Sequence, residues 1–184
     1  MIPMGYMLKS VKSAPEWLHA PQVEIVYSLS SCVSENFADY IALWKHNGWW
    51  LFNSPSSVRE AAALEGVDLA GLTLFYYEVF DREYDKQIKA WSEISPEPSI
   101  ETSVVVPESK ILCGYDIVTY YAKTSPECSP LSCNDLARDI PTNRFCLLDD
   151  FDNARSLLES GALEHGEPGP FRIVAVYTLP STQT

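Results

Sequence analysis

Cys128 and Cys133 stand with four residues between them in the run Pro126-Glu127-Cys128-Ser129-Pro130-Leu131-Ser132-Cys133-Asn134. The thiolate is the nucleophilic and metal-binding form of cysteine, and a helix N-terminus favours it. Asn134 opens a short helical pattern, so the spacing predicts Cys133 beside such an N-terminus. Cys128 is then the thiol that resolves an oxidised Cys133, with Asn134 or Ser129 assisting. C-x4-C is not the C-x-x-C spacing of thioredoxin-like redox motifs. The competing reading is a loop stiffened by Pro126 and Pro130 whose thiols only pack against the core.

Other chemistry finds less support. Zinc needs a tetrahedral set of N, S or O ligands. Cys32, Cys113 and Cys146 are isolated in the chain, and no second close pair or H-x3-5-H accompanies Cys128 and Cys133. Neither a metal nor another cofactor is therefore expected. The three His are scattered, and nothing in the spacing brings His46 or His165 to Cys32 or Cys128. With eight Gly in all, the chain has no G-x-G-x-x-G and no P-loop. Asp149, Asp150 and Asp152 read as helix capping. Asp81, Glu83 and Asp85 lack the Gly and distal Glu of a calcium loop.

The absence of a catalytic constellation puts a binding role ahead of an enzymatic one. The formal net charge is −12, spread along the chain. Such a field repels nucleic acid and anionic membrane and attracts basic proteins. Trp91 stands among polar residues in the charged stretch Asp81–Glu101, the composition of an anchor ringed by charge. Asp81, Glu83, Asp85 and Trp91 are the candidate partner-binding residues. The expected function is a non-enzymatic acidic protein of immunity or inhibitor type that holds a basic protein partner. A thiol-dependent enzyme or redox protein using the Cys128/Cys133 loop is the alternative. Five unpaired-looking Cys, no basic and apolar leader, and no apolar run of about 20 residues suggest a bacterial-type cytoplasmic protein.

The elements that must position these residues read as α+β. Val23–Leu29, Trp49–Phe52, Leu72–Phe80, Tyr115–Ala122, Phe145–Leu148 and Phe171–Leu179 have strand composition. Helical patterns cover Ser13–Leu18 with Trp17 as a core plug, Glu35–His46, a segment after Ser54-Pro55, Asn134–Ile140, and a segment capped by Asp149 or Asp150. Residues 1–12 look loosely ordered. Each half thus reads β-α-β-α-β, which predicts a single domain, 1–184, of two pseudo-repeated lobes, 13–80 and 111–180. Residues 81–110 would link them. A single mixed sheet with helices on its faces is the alternative. Strands apolar on both faces need cover on both, from within the chain or from a second copy in a homodimer.

Overall fold

In the computed structural model, residues 1–37, 46–121 and 125–180 are described. The fold is mixed α+β, built on one antiparallel sheet. Its strands are β1 (Ile2–Ser10), β4 (Glu35–Asn36), β5 (Thr73–Asp85), β6 (Ala90–Glu93), β7 (Ile111–Thr119) and β8 (Phe171–Thr178). Their order is β4-β1-β5-β8-β7, with β6 paired to the far end of β5. β2 (Lys12–Ser13) and β3 (Ile25–Val26) form a separate short ladder. The helices are α1 (Pro55–Glu65), α2 (Pro130–Cys133) and α3 (Phe151–Glu159). No helix among the described residues is long and apolar enough to cross a membrane.

The sheet is covered on both faces. Ile117 and Val118 are adjacent in β7 and so point to opposite faces. Both are fully buried, Ile117 among Ala154 and Leu158 of α3 and Val118 among Val58 and Ala62 of α1. α1 begins where Ser54 accepts from the Ser57 N–H, with Pro55 at the first helical position, and ends at Gly66. α3 begins where Asp150 accepts from the Asn153 N–H at 2.8 Å. Both starts match the sequence expectation.

Other segments differ. The N-terminal residues form β1, an inner strand, because Met4, Tyr6, Met7 and Leu8 fill both faces. Pro3 and Gly5 hide that strand from a pattern search by introducing a register shift. Trp17 is half exposed, and Leu18 is the plug. Of the expected Glu35–His46 helix, Glu35 and Asn36 form β4, and residues 38–45 lie outside the described residues. The supposed linker supplies the end of β5 and all of β6. β5 and β8 pair with each other at the middle of the sheet, Tyr77 opposite Val176, so both halves share one sheet.

Trp49–Phe52 and Phe145–Leu148 are loops rather than strands. Each is nested on an asparagine. The Asn47 carboxamide oxygen accepts from the N–H groups of Trp49 and Leu51, while its nitrogen donates to the Met4 carbonyl. Asn143 does the same with Phe145, Leu147 and Cys113. The loops then pair Phe52 with Tyr6 and Leu148 with Tyr115.

Candidate functional site

The cysteine loop after β7 is held from below by the strand itself. The Thr119 N–H donates to the Cys128 carbonyl at 2.8 Å, and the Cys128 N–H donates back to Thr119 Oγ1 at 3.1 Å. Pro130 then starts the single turn α2, and the Cys133 N–H closes it on the Ser129 carbonyl at 2.7 Å. Cys133 is the last residue of this turn and Asn134 its C-cap. The expected N-terminal placement of Cys133 is thus reversed, because Ser129-Pro130 supplies the start signal four residues earlier. Asn134 leads instead to a 3-10 turn at Leu136–Arg138.

A second loop, 27–34, lies against the first. The Ser30 hydroxyl donates to the Glu127 carbonyl at 3.0 Å, accepts from the Cys32 N–H at 3.2 Å and sits 3.4 Å from Cys133 Sγ. These contacts bring a third sulfur to the pair. Cys32, Cys128 and Cys133 have Sγ atoms all within 4.8 Å of one another, with Cys32 exposed and the other two half-buried. None of the five cysteines is in a disulfide. Cys146 is buried elsewhere, and Cys113 faces the Ile111 carbonyl and Thr178 hydroxyl.

Two buried charges fix this geometry. Asp116, in the middle of β7, is fully buried. Its Oδ2 accepts from the Ser28 hydroxyl at 2.7 Å and the Leu29 N–H at 3.0 Å, and its Oδ1 accepts from the Ser129 hydroxyl at 2.6 Å. One carboxylate therefore ties both cysteine loops to the sheet. Lys9 in β1 is also fully buried and donates to the carbonyls of Leu29 and Ser30 and to Asn36 Oδ1 at 2.6 Å. Burial raises the Asp116 pKa, opposed by these hydrogen bonds and the Lys9 charge.

The three thiols titrate as one unit. Hydrogen bonds from Cys128 and Cys133 pull Cys32 far down, against its partial burial and with help from Lys9. Cys128 moves strongly up, because its contacts with Cys133 and Cys32 and its burial favour the protonated thiol. Cys133 is held down by Cys128, but its bond to Cys32 and its burial outweigh this and leave it at about 11.

No family model, curated protein or solved structure matches this chain. The site is therefore read from its own geometry.

The structure unites Cys128, Cys133 and Asn134, the last through a contact of 3.6 Å between Cys128 Sγ and Asn134 Oδ1. Asn134 Nδ2 in turn donates to Glu167 Oε1 at 3.2 Å. These two residues, with Leu136 and His165, line an open groove beside the cluster.

The acidic candidates lie apart and are mostly engaged in the fold. Glu83 receives the Arg172 guanidinium at 2.9 Å, beneath the Tyr120 ring. Asp85 accepts from the Gln87 N–H in the β5–β6 turn. Trp91 packs between Phe80 and Tyr84 and donates to Glu159 at 2.8 Å. Asp81 is exposed.

Sequence reading overlooked Cys32 as a member, and Asp116 and Lys9 as its supports. The signals were present: each of the latter is a lone charge in an apolar strand run, Y-D-I-V and M-L-K-S. Cys32 and Cys133 also both follow serine-bearing loops.

Proposed function

We propose that the protein is a thiol-dependent redox protein whose working centre is Cys32, Cys128 and Cys133. The convergence of three free sulfurs from two loops carries this reading. Cys32 is the exposed member and the attacking atom. Its thiolate attacks a disulfide of the partner, forming a mixed disulfide and expelling one partner thiolate. Cys133 or Cys128, passing its proton to the departing partner sulfur, then attacks the Cys32 sulfur, closing an internal disulfide and releasing the second partner thiol. The partner gains two electrons, and an external dithiol restores the centre. The net charge of −12 favours a basic protein as that partner. The matched Asn47 and Asn143 loops support, within the one sheet, the idea of an internal duplication.

The test is oxidation of the reduced protein with one equivalent of a small-molecule disulfide, followed by peptide mapping. A disulfide joining Cys32 to Cys133 or Cys128 is expected. Random mixed disulfides spread over all five cysteines would remove the basis for this function.

A further inference from the structure

An internal disulfide uses two sulfurs, yet this centre holds three at the same mutual reach. We propose that Cys32, Cys128 and Cys133 form a three-thiolate binding site for one soft d10 metal ion, Zn2+ or Cu+. The inference rests on the same cysteine centre and adds the ion it takes. Thiolate sets select Zn2+, Cu+ and iron–sulfur clusters over hard cations. Zn–S bonds of about 2.3 Å place tetrahedral sulfurs about 3.8 Å apart. The observed mutual distances, within 4.8 Å, need only a small contraction to reach that.

The surroundings match what a metal-binding set requires. Ligands are ordinarily held by neighbouring hydrogen bonds that set their direction. Asp116 supplies this for both loops through Ser28 and Ser129, and Thr119 clamps the backbone of Cys128 on both sides. Exposed Cys32 leaves a path for the ion from solvent. Among the described residues no His, Asp or Glu joins the three sulfurs to complete a fourth ligand. The ion would thus keep one position open, as catalytic zinc does, or be three-coordinate, as suits Cu+ with thiolates. Asn134, against Cys128, and Ser30, against Cys133, are polar side chains at the sulfurs.

The test is metal titration of the reduced, metal-free chain under anaerobic conditions, with Zn2+ against a chromophoric chelator and with Cu+ against a Cu+-specific one. Co2+ provides the absorption of sulfur ligation. One equivalent per chain is expected. Affinity should fall by at least about 100-fold in Cys32→Ser, since ligand loss exceeds the cost of losing a supporting contact. Cys128→Ser should behave alike, and Cys113→Ser should bind as the parent does. Cys32 is exposed, so its variant keeps the test meaningful if Cys128→Ser fails to fold; far-UV dichroism checks both. No stoichiometric uptake of either ion, or uptake that survives Cys32→Ser, overturns the metal site. Disulfide mapping on the same metal-free sample separates the two readings: a Cys32 disulfide without metal uptake leaves only the redox function. Stoichiometric uptake with randomly distributed disulfides leaves only the metal site.

Discussion

The Ser129 hydroxyl donates to the buried Asp116 carboxylate at 2.6 Å, joining the turn between Cys128 and Cys133 to the centre of the sheet. Asp116 binds Ser28 in the same way on the other loop. Replacing Asp116 by Ala leaves two hydroxyls and the Leu29 N–H without their acceptor. Each unmet buried group costs about 1–3 kcal/mol, partly offset by removal of a buried charge, so a loss of about 2–4 kcal/mol is expected in urea unfolding. Ser129→Ala should cost less, about 1–2 kcal/mol. An Asp116→Ala protein as stable as its parent would remove the clamp from this account.

Two carboxylates give opposite pH signatures. Burial tends to raise Glu78, but hydrogen bonds from Lys110, Tyr177 and Tyr76 outweigh it and hold its pKa below the usual value. The folded state then binds fewer protons than the unfolded one, so Glu78 contributes stability above the unfolded pKa. That contribution is lost as pH falls through the lower folded value. Asp116 has the reverse sign, because its raised pKa makes ionisation a cost that disappears in acid. Glu78→Gln should therefore flatten the acid limb of unfolding free energy against pH, below about pH 5. An unchanged limb would contradict the assignment.

Gly5 and Gly114 occupy equivalent places beside the two asparagine loops. Their φ angles are 132° and 144°, and an added Cβ would lie 2.4 Å from the Phe52 carbonyl and 2.7 Å from the Leu148 carbonyl. Gly→Ala at either position forces a backbone shift on top of the φ strain. A loss of about 2–4 kcal/mol at each is expected from chemical denaturation. Gly71, with open space around it, provides a comparison where only the φ strain acts.

Charge reversal in the β5–β6 region separates fold from recognition. Glu83 is the partner of a nearly buried Arg172, so Glu83→Lys leaves that charge unmatched and should cost about 3–5 kcal/mol. Asp81→Lys on the exposed side should change stability by no more than about 0.5 kcal/mol. Weakened partner capture by Glu83→Lys alone would thus report a damaged fold. Thermal unfolding of the two variants checks this, and equal losses would contradict it.

Much of the architecture was legible where one local signal sufficed. Ser54-Pro55 and Asp150 announce α1 and α3, and the apolar runs before Phe80 and after Phe171 announce β5 and β8. The failures share a cause. Trp49–Phe52 and Phe145–Leu148 have strand composition, but Asn47 and Asn143 satisfy their backbone through side-chain bonds that no hydrophobic period encodes. β1 was hidden by Pro3 and Gly5, whose bulge is a property of pairing with β5. The candidate site was half legible: Cys128 and Cys133 are close in sequence, whereas Cys32 reaches them through contacts between residues 95 to 103 positions apart. Asp116, which makes that approach possible, reads locally as a misplaced charge in a strand.

The most direct measurement is the alkylation rate of each cysteine in the reduced, metal-free native protein, read by mass after digestion. The account predicts that Cys32 reacts ahead of the other four, that Cys146 is protected, and that Cys128→Ala or Cys133→Ala slows Cys32 by removing a hydrogen bond to its thiolate. A common rate for all five thiols, or a Cys32 rate indifferent to both substitutions, would contradict the three-cysteine centre.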